Sequence, residues 1–79
     1  MEFTIEPFAE GRPGPHVTAA VAALRECGYD VEFGPFGSAC DVPRDELADA
    51  AGVLVATAFA NGATRVNVDV VRLDGEEPA

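Results

Sequence analysis

The side chains best equipped for chemistry gather around two glycine-rich turns. The first runs from Glu10 through Gly11, Arg12, Pro13, Gly14 and Pro15 to His16, the sole histidine; the second, Gly34-Pro35-Phe36-Gly37, leads into Ser38. Glu6 and Phe8 stand just ahead of the first turn, and Asn67 sits in an alternating run near the C-terminal end. These two turns and the residues beside them are where any functional reading of the chain has to start. Phe36 and Phe8 offer aromatic faces, Glu6 a carboxylate, and Ser38 and Asn67 groups that donate and accept hydrogen bonds. Each also has a plainer reading: Phe36 as a turn residue packed locally, Glu6 as a solvated strand carboxylate, His16 as a loop or cap residue near a helix start.

Composition removes several other chemistries. Fourteen acidic residues against five basic ones give a formal charge of -9, which repels phosphate backbones and anionic lipid, so neither nucleic acid nor membrane insertion is expected. The acidity is a solubility device or an attraction for a cation. Cys27 and Cys40 fall on different elements, and no second histidine or cysteine stands near His16, so no metal, cofactor or disulfide framework is expected. Reduced thiols fit a cytoplasmic chain. Met1-Glu2-Phe3-Thr4 has no secretory character, and the longest apolar run, 53–60, is interrupted by Thr57 and far too short to span a bilayer.

These residues are positioned by six periodic segments. Residues 2–6 alternate as a half-buried strand with Phe3 and Ile5 inward, and Pro7 closes it. From His16 the period becomes helical, with Val17, Ala20, Val21, Leu24 and Cys27 on one stripe and Gly28 as the stop. Residues 29–33 form a second strand with Tyr29, Val31 and Phe33 toward the helices, and residues 38–42 a third that completes a hairpin. A second helix is expected from Pro43 to about Ala60, with Leu47, Ala51, Leu54, Val55 and Ala58 as its core stripe. Its Ala50, Val53, Ala56, Phe59 and Ala60 are apolar too, which calls for deep burial or, preferred in so short a chain, contact with another subunit. After Asn61-Gly62, residues 64–73 read as the clearest strand. Residues 1–73 make a single domain, and residues 74–79 an acidic tail expected to be disordered.

The order β-α-β-β-α-β is that of an α+β, ferredoxin-like sandwich, a four-stranded antiparallel sheet with two helices on one face. Its first and third strands are central and its fourth lies beside the first. One end of the domain should then gather Phe8, Glu10, His16, Phe36, Ser38, Asn61, Arg65 and Asn67. The open sheet face should carry Glu2, Thr4, Glu6, Asp30, Glu32, Asn67 and Asp69, carboxylates that must stay wet, pair with Arg65 or Arg72, or meet a cationic ligand. Which way Ser38 and Cys40 face depends on the hairpin's length and stays open. Acylphosphatase enzymes share this topology, yet phosphate chemistry wants a basic anion cradle and the first loop offers Arg12 alone.

With Glu6-Pro7-Phe8 before a glycine-rich loop, Gly14-Pro15-His16-Val17 opening a helix, Gly34-Pro35-Phe36-Gly37-Ser38 at the hairpin and Phe59-Ala60-Asn61-Gly62-Ala63-Thr64-Arg65-Val66 before the last strand, the chain resembles the thiamine-binding YkoF-like family over nearly its whole length. The resemblance implies ferredoxin-like domains that associate in pairs or fours and bind thiamine or its hydroxymethylpyrimidine portion without catalysis, in transport, salvage or sensing. For such a ligand, a cation with an aminopyrimidine, Phe36 or Phe8 would cover a ring, Glu6 would accept from the amino group or offset the charge, and Ser38 and Asn67 would address ring nitrogens. One copy per chain implies a homodimer or homotetramer. The family often has Thr where Ser38 stands, keeping the hydroxyl, and Ser where His16 stands. A regulatory module for another small molecule, and a structural oligomer with no ligand, remain alternatives.

Overall fold

The computed structural model describes residues 1–8, 12–34 and 37–73. In chain order these form β1 (Glu2–Glu6), α1 (Pro15–Glu26), β2 (Glu32–Gly34), β3 (Gly37–Ala39), a 3-10 turn (Arg44–Glu46), α2 (Leu47–Ala60) and β4 (Arg65–Asp69). The strands make one sheet in the order β2-β3-β1-β4, with every neighbouring pair antiparallel. Phe3 and Ile5 of β1 point to the same side, where α1 and α2 pack on the sheet and on each other. Leu24 of α1 and Leu54 of α2 are wholly buried between these layers, each contributing about 1.5–3 kcal/mol of transfer free energy.

Local signals explain where α1 starts and stops. Pro15 occupies the first helical position, where its missing N–H costs nothing. Gly14 precedes it because a Cβ there would lie 2.7 Å from Cε1 of His16. At the far end Gly28 takes φ +97°, and the Tyr29 N–H turns back onto the Leu24 carbonyl at 3.2 Å, closing the last turn. The buried stripe therefore ends at Leu24, and Cys27, expected on it, is exposed.

Other element boundaries also differ from the sequence expectation. β2 begins at Glu32 rather than Tyr29, whose phenol instead donates to Oε1 of Glu46 at 2.7 Å. β3 ends at Ala39; beyond it Cys40 is held from the β1 side, its N–H donating to the Met1 carbonyl at 2.9 Å. β4 stops at Asp69 because its partner runs out there, Asp69 lying opposite Glu2, and Val70, Val71 and Leu73 are exposed. In α2 the buried residues are Ala50, Leu54 and Ala58, with Leu47 and Ala51 beside them; Val55, one position from Leu54, is turned about a quarter of the way round the helix and is exposed. Residues 74–79 lie outside the described residues, and among those described no helix is long and apolar enough to cross a membrane.

Candidate functional site

The sheet register sorts the candidate residues onto two faces. Phe33 lies opposite Ser38, Ser38 opposite Phe3, and Phe3 opposite Val68, and since Phe3 is in the core this whole row faces the helices. Ser38 and Cys40 are thus both on the helix side, and both are buried. The next row, Glu32, Ala39, Glu2 and Asp69, faces away, as do Thr4 and Asn67.

On the helix side a pocket of about 400 Å³ opens between the end of β1, the first turn of α1 and the β2–β3 hairpin. Its walls are mainly apolar: Pro7, Phe8, Pro13, Val17 and Phe33, with Phe3 and Ile5 behind. Phe8 is 71% exposed and Phe33 49%, so two aromatic rings border a space that nothing else in the chain fills among the described residues. Phe33 points as expected but is not buried, because β2 is an edge strand. Ser38 also lines the pocket; the residue is only 7% exposed and no described residue bonds to its hydroxyl, yet among the described residues no fully buried side-chain oxygen is left without a partner, so this oxygen keeps access to the pocket space. Arg12 is the one charged residue among the described lining.

His16 stands behind this wall. It is 7% exposed, and its Nε2–H donates to the Pro7 carbonyl at 2.5 Å; a carbonyl only accepts, which fixes the hydrogen on that nitrogen. The bond ties the first turn of α1 to the segment carrying Phe8, so His16 positions the pocket and is not part of its described lining.

The other expected residues divide. Glu6 turns to the open face, where an oxygen lies 3.9 Å from the Arg65 guanidinium, an exposed pair of small energetic worth. Asn67 also belongs to that face, its amide donating to Oγ1 of Thr4 at 3.4 Å. Asn61 caps the end of α2 by donating to the Thr57 carbonyl at 2.8 Å. Phe36 and Glu10 lie outside the described residues. Of the expected neighbours, then, the pocket unites Phe8 and Ser38 with His16 behind them, while Glu6 and Asn67 lie across the sheet. Phe33, Pro13 and Val17 were not anticipated as lining; the parity that pairs Phe33 with Ser38 is the signal that would have found the first of them.

The open face has a different character. A shallow concavity of about 510 Å³ lies over Gly34, Gly37 and Ala39, rimmed by the carboxylates of Glu2, Glu32 and Asp69. Glu2 and Asp69 sit directly opposite each other, a like-charge cross-strand pair. Among the described residues no group of three or more His, Cys, Asp or Glu side chains could hold a metal ion.

The titratable groups give no activated nucleophile among the described residues. Burial pushes the Cys40 thiol up, which keeps it protonated and inert. The Tyr29 phenol is pushed up to about 12, first by its hydrogen bond to Glu46. Ser38 has no described base bonded to it. No protein-family model, curated protein or solved structure matches the chain.

Proposed function

We propose that this chain is a ferredoxin-like binding domain that holds thiamine, or its hydroxymethylpyrimidine portion, without transforming it. The element order and the strand order β2-β3-β1-β4 support the fold assignment. The observation that carries the functional reading is the helix-side pocket, with two uncovered aromatic rings and one serine hydroxyl that no described residue occupies. Its volume lies in the range of small-molecule sites, and its lining follows their pattern of apolar walls with few polar groups. The pyrimidine ring lies between Phe8 and Phe33, and the Ser38 hydroxyl bonds a ring nitrogen or the exocyclic amino group. Because Arg12 is the charged lining residue, the neutral pyrimidine goes inward and the thiazolium cation stays at the mouth, in the field of a chain of net charge -9.

Titration calorimetry with hydroxymethylpyrimidine, thiamine and thiamine diphosphate tests this reading. Saturable binding of the first two, with the diphosphate weaker, is expected. Ser38→Ala should weaken binding by roughly tenfold, the worth of one hydrogen bond, and leave stability unchanged or slightly higher because the hydroxyl has no folded-state partner to lose. Heat of binding from none of the three compounds would overturn it.

A further inference from the structure

We propose that the groove between the segment following β4 and the turn before α2 is a second binding site, which takes a small aliphatic carboxylate: its apolar chain lies along the groove and its carboxylate meets the guanidinium of Arg44. The groove has a volume of about 320 Å³ and is lined by Met1, Val42, Arg44, Leu47 and residues 70–73. None of these lines the helix-side pocket, which opens at the other end of β1, about 20 Å of strand away. The site therefore stands independently of the pyrimidine reading. Its apolar walls follow from where the sheet ends. β4 stops at Asp69, so Val70, Val71 and Leu73 carry an apolar sequence past the last strand pairing and remain exposed. Val42 and Leu47, half-buried on either side of the 3-10 turn, supply further apolar lining. Met1 is buried at the base and held in place there, its carbonyl accepting from the Cys40 N–H and its nitrogen donating to the Cys40 carbonyl, both at 2.9 Å.

Charge selects the ligand. Two of the five basic residues, Arg44 and Arg72, line this groove, and no carboxylate does among the described lining, in a chain with fourteen acidic residues. Asp41 and Asp45 flank the turn in sequence but are not part of the lining. Arg44 is exposed, and its guanidinium makes no ion pair or hydrogen bond among the described residues. Such a planar fork receives a carboxylate through two parallel hydrogen bonds. An aliphatic amine would meet like charge here, and an uncharged chain would leave the fork unused. A carboxylate on a short aliphatic body uses both parts of the groove, and the volume, at the small end for such sites, suits a short chain rather than a long fatty acid.

Amide chemical-shift titration of the full chain with octanoate tests this, with acetate and octanol as the head and the tail alone and circular dichroism to check folding. Octanoate should give saturable shifts centred on Val42, Leu47 and Val71, with acetate and octanol each weaker by roughly tenfold or more. Arg44→Gln, a change at an exposed side chain that leaves the fold intact, should weaken octanoate by a similar factor and leave octanol unchanged. No saturable shift at millimolar octanoate, octanol binding as tightly as octanoate, a folded Arg44→Gln variant with wild-type affinity, or shifts centred on the helix-side pocket would each overturn the proposal. So would binding that appears only in the Asp74→Asn, Glu76→Gln, Glu77→Gln triple variant, which would give the groove to the chain's own acidic end.

Discussion

The two faces of this sheet are built from the same strands, alternate residue by alternate residue, yet offer opposite environments. On the helix side the row Phe33, Ser38, Phe3 leads from an exposed edge into the core, and where α1 begins it leaves a pocket lined by rings and one hydroxyl. On the open side the neighbouring row sets Glu2 across from Asp69, with Glu32 further along, over a nearly bare backbone floor. A pocket with few charges excludes water and gives a single hydrogen bond its full discriminating value. A wet acidic face does neither, but it sets the long-range field. In the proposed binding role the helix side would hold the ring and the acidic face would attract the cation.

The largest effects should come from breaking the packing that supports the helix side. Leu54→Ala removes a fully buried side chain between the helices and the sheet and should cost about 2–5 kcal/mol in denaturant unfolding. Val55→Ala, one residue along but exposed, should cost less than about 1 kcal/mol. Equal costs would mean that α2 is rotated about its axis. Gly14→Ala should come next, at about 1–3 kcal/mol, because the new methyl meets a histidine ring that is buried and hydrogen-bonded and has little room to give. It should also loosen the Pro7–Phe8 wall and reduce affinity for the pyrimidine, whereas an unchanged melting curve would detach His16 from that wall.

On the open face the expected change is smaller and opposite in sign. Glu2→Gln removes one member of a like-charge pair and should stabilise the fold by about 0.3 kcal/mol at low salt, a gain that fades as salt is added. A loss of stability would mean that Glu2 has a cationic partner. The least consequential test is spectroscopic. Tyr29 is the only tyrosine, so an ultraviolet titration reads it alone; it should ionise at about pH 12, and in Glu46→Ala the midpoint should fall toward the ordinary phenol value of about 10, with burial, Cys27 and Asp49 still holding it up. Because the folded-state value lies above the unfolded one, the contribution of this bond is complete below pH 10 and is lost as the pH rises through 12.

Much of the fold was legible from periodicity. Alternation identified β1 through Phe3 and Ile5, and the helical stripe picked out Ala20, Val21 and Leu24, because one buried face per element leaves a clean pattern. The ends of β2, β3 and β4 were not legible, since they depend on where a partner strand stops. The site was legible only in part, for a related reason. Strict alternation puts Glu6 and Phe8 on the same face, but Pro7 ends the strand and Phe8 comes round to the pocket while Glu6 remains on the open side. The roles of Phe33 and Ser38 depended on parity across the hairpin, which composition does not reveal. His16 was visible as a residue at a helix start, but its partner, a carbonyl on the preceding segment, is a tertiary contact.

Amide chemical-shift mapping during addition of hydroxymethylpyrimidine separates the two faces most sharply. Saturable shifts centred on Gly14, Val17, Phe33 and Ser38, around the helix-side pocket, are expected. Shifts centred instead on Glu2, Asn67 and Asp69, or none at millimolar ligand, would contradict it.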